Sequence, residues 1–277
     1  MNKWGLWLST AFWLVMMGFL VFYDVLPDYT VKAGNGYDAV LRGVEAPIVR
    51  DMVVLKGDTE VGTSQTTITP SADGTYTISN VTNVDLQVGM FVTPVKATTQ
   101  VYLDETRELT KLALAASIGG KRADVSGVRI GDRLILSVVL NRQQYEYDLP
   151  YENGVISSYF EPFSAGSRLK VGQTWRTKML DPLSQKFTTA EVQVVGKETL
   201  ELSLRKGDPK RRMETYKLVM NWGTSQLAAW ATEDGVILKQ ETPLGYTLVY
   251  RESEGDDQTQ ERDEVLRPEV RGTGPEP

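Results

Sequence analysis

Apolar and polar residues alternate along much of this chain, and that two-residue period constrains its fold more than any other feature. The alternation runs through residues 84–90, 134–140, 190–194, 200–204, 216–220 and 246–250. Successive side chains of an extended strand point to opposite faces of a sheet, so this pattern predicts strands with one buried and one solvated face. Antiparallel sheets commonly have this character, and the chain is therefore predicted to be mainly β.

Turn residues separate several of the alternating segments. Asp73-Gly74 precedes the alternating pair Tyr76 and Ile78, Gly131-Asp132 separates two predicted strands, and Asp234-Gly235 separates residues 228–230 from residues 236–238. Such pairs are typical of β-hairpins. Helical periodicity is scarce, and residues 105–117 give the best candidate helix outside the N-terminus. The fold class predicted is a curled antiparallel sheet of about ten to fourteen strands, either a half-barrel or an open sandwich.

A run of uncharged, largely apolar residues, 4–23, lies near the N-terminus between Lys3 and Asp24. As a helix it would be about 30 Å long, which matches the hydrocarbon core of a bilayer. The positive charge before the run predicts residues 1–3 as a cytoplasmic end and residues 24–50 as a stalk outside. A cleaved signal peptide and a buried core helix are the alternatives. The run lacks the small-residue cleavage site of a signal peptide, so we expect an uncleaved transmembrane anchor.

The remaining chain divides into a β ectodomain at residues 51–251, with a hinge at 150–172, and an acidic tail at 252–277. The tail contains nine acidic residues and three arginines, which account for the whole net charge of −6. Its dense charge and low hydrophobicity predict disorder. Since the rest of the chain is neutral, no basic surface for a nucleic-acid partner is expected.

The chain contains neither cysteine nor histidine. Disulfides, thiolate or imidazole metal ligands, and Ser-His-Asp or Cys-His catalysis are therefore excluded. The compact carboxylate groups of the body are Asp104-Glu105 with Glu108, and Glu233-Asp234. A hydrolase that uses carboxylates alone needs two acids facing each other across a cleft, and nothing in the sequence aligns these. We predict no catalytic residues, no cofactor and no metal site, and expect that the protein is not an enzyme.

Large aromatic residues provide the candidate ligand contacts of the ectodomain. Core packing is their ordinary role in a sheet, whereas an apolar concave surface that holds an acyl chain, peptide or glycan is the functional alternative. The candidates are Tyr159, Phe160, Phe163, Trp175, Trp222 and Trp230.

Two segments resemble motifs of bacterial envelope β-proteins. Residues 169–175, LKVGQTW, are similar to a strand-initiating motif, and residues 230–239, WATEDGVILK, are similar to a hairpin motif. Together they resemble the DUF3108 group and the N-terminal β-region of bacterial membrane-bound transglutaminase-like proteins, related in architecture to the LolA/LolB half-barrel. The resemblance spans residues 50–251 and implies a half-barrel with an apolar concave face and an envelope location. The Cys-His-Asp catalytic domain of the transglutaminase-like proteins has no counterpart here.

These observations favour a single-pass protein of the bacterial inner membrane that presents its β domain in the periplasm as a non-catalytic binding or scaffold module. Its expected partners are the membrane itself and a lipid or another envelope protein. One alternative is a protein that binds a lipid or a lipoprotein acyl chain. A second alternative is a carboxylate-dependent hydrolase.

Overall fold

A computed structural model shows a mainly β chain in which fourteen antiparallel strands form one large open sheet. Two further strands of two residues each, β1 (Lys32–Ala33) and β10 (Val155–Ile156), pair in parallel with β11. Within the described residues, a one-turn helix, α1, covers Tyr37–Val40. The structure describes residues 32–33, 36–41, 43–88, 90–151, 155–156, 168–181, 186–205, 207–222, 225–242 and 244–252.

The antiparallel strands follow one another as two meanders. The first contains β2 (Ile48–Lys56), β3 (Thr59–Pro70), β4 (Tyr76–Val88), β5 (Phe91–Leu103), β6 (Leu109–Ile118), β7 (Lys121–Ile130), β8 (Arg133–Leu140) and β9 (Gln143–Pro150). The second contains β11 (Thr174–Asp181), β12 (Lys186–Leu202), β13 (Arg211–Trp222), β14 (Ser225–Ala231), β15 (Ile237–Glu241) and β16 (Thr247–Arg251).

The pairing of β16 with β2 joins the two meanders into one sheet. In this pairing Thr247 lies opposite Leu55, and Arg251 lies opposite Asp51. The first and last long strands of the described chain are therefore neighbours, although about two hundred residues separate them in sequence.

The three predicted hairpin turns are confirmed. Gly74, Gly131 and Gly235 each have a positive φ, at 83°, 61° and 89°. The Gly74 turn joins β3 to β4, the Gly131 turn joins β7 to β8, and the Gly235 turn joins β14 to β15. Glycine has no Cβ and adopts this left-handed backbone at little cost, which is why these pairs identify turns reliably.

One face of the sheet supplies the core of both meanders. In the first meander, Leu103, Leu134 and Leu136 belong to a buried cluster that also holds Leu41, next to α1, and Leu180 of β11. The second meander has a cluster of its own, which includes Val192 of β12 and Leu218 of β13, and a smaller cluster lies at the β2–β16 junction. Leu180 packs in the cluster of the first meander, although it points to the opposite face of β11 from Trp175 and Met179, which belong to the cluster of the second meander.

The prediction of a helix at residues 105–117 was wrong, because residues 109–118 form strand β6. Leu103 pairs with Leu109 while Tyr102 pairs with Lys111, so Thr110 is an extra residue in the ladder. This β-bulge shifts the alternation by one position. Leu109 and Leu112 are therefore both buried at a spacing of three, which imitates one turn of a helix.

Several predicted segments lie outside the described residues. They are the anchor at 4–23, the tail at 252–277 except Glu252, and most of the hinge at 150–172. The described part of the chain contains no helix with the length and apolarity that a bilayer crossing requires.

Gly127 of β7 has no room for a side chain, and this gives a stability prediction. A Cβ at this position would lie 2.8 Å from Leu136 Cδ2 and 2.9 Å from Leu112 Cγ, and both leucines are buried in the core. Gly127→Ala should therefore lower the free energy of unfolding by about 1–3 kcal/mol, the usual cost of overpacking a core. Urea denaturation measures the change.

Gly196→Ala is the matched control, because no atom lies within 4 Å of a Cβ built there. This substitution should leave the denaturation midpoint close to that of the wild type. Equal midpoints for the two variants would contradict the packing described around Gly127.

Candidate ligand-binding site

Strand β2 is covered on both of its faces at Val53 and Val54. Val53 and Val54 are only 4% and 3% exposed, although neighbouring residues of a strand point to opposite sides of the sheet. Val54 packs with Val84 and Leu248 in the small cluster at the junction of the meanders. Val53 lies opposite Val249 on the other face, where another part of the chain must cover it.

The β12–β13 hairpin provides this cover. The pairing of β13 with β14 ends at Tyr216 and Ala231, so the outer parts of β12 and β13 extend beyond their neighbour. A register shift between Val194 and Gly196 marks a bulge in β12. A bulge bends its strand and increases the local twist, which allows the long hairpin to leave the plane of the sheet.

Two contacts hold the loop of this hairpin against the end of β16. The backbone N–H of Glu252 donates a hydrogen bond to the carbonyl oxygen of Leu204 at 2.9 Å. The carboxylate of Glu252 also forms an ion pair with Arg205 at 3.2 Å. The hairpin therefore reaches across β14 and β15 to the strand that joins the two meanders.

A cavity of about 550 Å³ lies between the hairpin and the sheet. Its apolar lining comes from β2, β12 and β16, and its charged lining comes from three cations and two carboxylates. The apolar residues are Val53, Leu55, Leu200, Leu202 and Val249, and the charged residues are Asp58, Glu201, Lys210, Lys239 and Arg251.

Most of the charged residues that line the cavity form ion pairs. Lys239 Nζ lies 3.2 Å from Glu241 Oε1, and Arg251 lies 3.3 Å from Glu60. Glu201 is held by Arg212 at 2.7 Å. Lys210 has no ion-pair partner within the described ranges of the chain, so its ammonium group is available to an anionic ligand.

Lys239 connects the cavity to Trp230. The strand pairing places Lys217, Trp230 and Lys239 in one row across β13, β14 and β15. The ammonium groups of Lys217 and Lys239 lie 5.4 Å and 4.2 Å from the centre of the indole ring. Cations over an aromatic face are attracted by its quadrupole, and the lysine stems cover the ring from water.

Glu198 completes this group at the base of the hairpin. Its carboxylate accepts a hydrogen bond from Trp230 Nε1 at 2.7 Å and one from Lys217 Nζ at 2.9 Å. The indole donor, followed by the lysine, holds the pKa of Glu198 below its ordinary value. Because both donors favour the ionised carboxylate, the contact is strongest at neutral pH.

The three tryptophans predicted as ligand contacts do not form one surface. Trp175 and Trp222 contribute to the core of the second meander, and Trp222 Nε1 donates a hydrogen bond to Thr188 Oγ1 at 3.1 Å. Trp230 is buried on the opposite face of the sheet, and among the described residues none of the three lines the cavity. The other three candidates, Tyr159, Phe160 and Phe163, lie outside the described residues.

The two carboxylate groups singled out in the sequence occupy separate turns. Asp104 lies in the β5–β6 turn, where burial raises its pKa but hydrogen bonds from Thr106 and the Glu108 backbone outweigh this and lower it. Asp234 lies in the β14–β15 turn and pairs with Arg168 at 3.4 Å. The structure therefore does not bring these groups together across one cleft. No group of three or more acids able to hold a metal occurs in the part of the chain that is described.

Comparison with known proteins places the sheet in a family. A family model described as a domain of unknown function, DUF6134, matches residues 52–252. The chain belongs to the DUF6134 family. No curated protein matches this sequence.

One matching solved structure is that of a "beta-barrel-like protein" of domain of unknown function DUF1849 from Brucella abortus. It is 10% identical in sequence, with a TM-score of 0.46, over 74% of this chain and 94% of that one.

The resemblance to DUF3108 and to transglutaminase-like proteins was wrong, because the matching family is DUF6134 and nothing in the comparisons points to the other two. The segments 169–175 and 230–239 explain the error. The first initiates a strand and the second contains a tight hairpin, with Gly235 at a positive φ. Any antiparallel meander uses such short motifs, so they describe local structure and do not identify a family.

The residues that line the cavity could not be predicted as a site from the sequence. Leu200 and Leu202 stood out only as alternating residues of a strand, and Lys210, Lys239 and Arg251 carried no local signal. Their proximity depends on a hairpin that folds back over strands distant in sequence. The unusual length of the alternating region that became β12, seventeen residues, is the one feature that would have indicated a bend.

The lowered pKa of Glu198 predicts how pH affects the stability of this site. A carboxylate whose pKa is lower in the folded than in the unfolded state stabilises the fold at pH values above the unfolded-state pKa. This stabilisation is lost as the pH falls through the folded-state pKa. Glu198→Gln should lower the free energy of unfolding at pH 7 by less than about 1 kcal/mol, because the Glu198 side chain is 45% exposed. The difference from the wild type should shrink as the pH approaches about 3.

Urea denaturation at several pH values measures this difference, and Trp230→Phe provides the cross-check. That variant keeps an aromatic ring but removes the N–H that donates to Glu198. In the Trp230→Phe background, the pH-dependent effect of Glu198→Gln should be smaller. A Glu198→Gln effect that stays constant between pH 7 and pH 3 would contradict the assigned contact.

Proposed function

We propose that this chain is a non-catalytic binding module of the bacterial envelope, and that its ligand occupies the cavity under the β12–β13 hairpin. The observation that carries the proposal is the cavity itself. Its volume of about 550 Å³ lies within the range typical of small-molecule sites. The two-sided burial of β2 supports the same assignment, since the hairpin covers this face without filling it.

The lining favours a ligand with an apolar body and an acidic end. Leu55, Leu200 and Val249 provide aliphatic surface on three strands, which suits an acyl chain or a similar hydrocarbon group. Lys210 lies at the rim and is the cation best placed to neutralise a carboxylate or phosphate. This combination favours binding of a lipid-like anion over a scaffold role, for which no cavity is needed.

The location in the envelope is part of the same proposal. The uncharged run at residues 4–23 and the charges on either side of it support an inner-membrane anchor with the β domain in the periplasm. A lipid-like ligand fits this location, because such ligands are found at or near membranes. The absence of histidine and cysteine from the whole sequence supports a role without catalysis.

Filling the cavity with a larger side chain tests the proposed ligand site. Leu200→Trp places an indole ring on the half-buried wall of β12. We expect the affinity of the full-length, detergent-solubilised protein for a fluorescent fatty acid to fall about tenfold or more, because the probe loses its apolar surface. Fluorescence titration gives the dissociation constant.

Val139→Trp is the matched control. Val139 is also half-buried, and it lines a separate groove of about 270 Å³ on the first meander. This variant should bind the probe like the wild type. Equal losses of affinity in the two variants would contradict the assignment of the cavity. So would tight binding of the probe by a Leu200→Trp protein whose thermal midpoint is unchanged.

A further inference from the structure

Two charged residues that line the cavity under the β12–β13 hairpin are not neutralised by a neighbour. Three of its five charged lining residues belong to ion pairs. The other two, Asp58 and Lys210, form no ion pair with each other or with any other residue in the described part of the chain. They carry opposite charges and come from different walls of the cavity. Asp58 lies in the β2–β3 turn, and Lys210 lies in the loop between β12 and β13.

A tight turn fixes the backbone of Asp58. Gly57 and Asp58 form the two-residue turn between β2 and β3, and Gly57 has the positive φ, 60°, that suits the first position of such a turn. The nearby Lys56 does not neutralise the carboxylate. Its ammonium group donates a hydrogen bond to the carbonyl oxygen of Leu244 at 2.9 Å and lies over the ring of Tyr246, on the other face of the sheet. The carboxylate of Asp58 is therefore available to a cationic group.

Hydrogen bonds order the loop that carries Lys210. The hydroxyl of Ser203, another lining residue, donates a hydrogen bond to the carbonyl oxygen of Asp208 at 2.9 Å. The backbone N–H of Asp208 donates one to the carbonyl oxygen of Arg205 at 3.2 Å. The carboxylate of Asp208, the nearest acid in sequence, does not line the cavity and forms no ion pair with Lys210. The loop therefore presents a free ammonium group at the cavity.

We infer that the ligand of this cavity is an amphiphile with a zwitterionic head group. Its anionic group would contact Lys210, its cationic group would contact Asp58, and its hydrocarbon would lie on the aliphatic lining. A purely anionic head group would leave Asp58 without a partner and near a charge of its own sign, which is unfavourable. The inference rests on the proposed function and deepens it, because it specifies the head group of the lipid-like ligand.

Two probes that differ by one charge test this inference in the full-length, detergent-solubilised protein. The first is lysophosphatidylethanolamine with a fluorescent acyl chain, which carries a phosphate and an ammonium group. The second is the same lipid with its amine acetylated, which keeps the phosphate but loses the positive charge. We expect the wild type to bind the first probe about fivefold more tightly, which is what a favourable exposed ion pair contributes. Free phosphoethanolamine, which lacks the hydrocarbon, should not displace the first probe at an equal concentration.

Asp58→Asn should weaken binding of the first probe about fivefold and should not weaken binding of the second. Lys210→Gln should weaken binding of both probes, because both carry the phosphate. Asp132→Asn is the matched control. Asp132 follows Gly131 in a turn of the same Gly-Asp sequence, where Gly131 has a φ of 61°, but it does not line the cavity. This variant should bind both probes like the wild type.

The outcomes separate the head group from the cavity itself. Equal affinities of the wild type for the two probes, with weaker binding of both by Leu200→Trp, would overturn the zwitterionic head group and leave the cavity assigned. Equal weakening of both probes by Asp58→Asn would also overturn it. Displacement by free phosphoethanolamine would assign the site to a small zwitterion and overturn the amphiphile. If neither probe bound to the wild type, or if Leu200→Trp bound both like the wild type, the proposed function would fail as well.

Discussion

The pairing of β16 with β2 is the interaction on which the rest of the structure depends. Each meander is built from local hairpins, and among the described strands only this five-residue ladder joins them into one sheet. On one face of the ladder Val54 meets Leu248, and on the other Val53 meets Val249. Side-chain contacts reinforce it, since Lys56 Nζ lies 4.4 Å from the centre of the Tyr246 ring. Because the paired residues are so distant in sequence, forming this ladder costs the entropy of closing a large loop.

This junction also determines where a ligand site can form. The core lies on one face of the sheet, so the opposite face of the junction would ordinarily be solvated. The bulge in β12 and the length of its hairpin bring Leu200 and Leu202 over that face and enclose the cavity. Trp230, Lys217 and Glu198 support the base of the same hairpin. The cavity is therefore a product of the fold, and its lining residues come from both meanders.

The sequence predicted the local structure well and the long-range structure poorly. Strand alternation and the turns at Gly74, Gly131 and Gly235 depend on a few neighbouring residues, so they could be predicted. The helix expected at residues 105–117 failed because one bulged residue, Thr110, changed the apparent period. The pairing of β16 with β2 leaves no periodic signal, and the cavity that depends on it could not be predicted. Trp230, a candidate ligand contact in the sequence, is buried, and the face that buries it was not evident from the sequence.

Hydrogen–deuterium exchange of the full-length protein, with and without a bound fluorescent fatty acid, tests the central claim most directly. If the ligand occupies the cavity, amides of residues 200–212 and of β2 and β16 should exchange more slowly when it is bound. Amides of β6 to β8 should exchange at unchanged rates. Slower exchange confined to β6 to β8, or no change in β2, β16 and the β12–β13 hairpin at saturating ligand, would contradict the account.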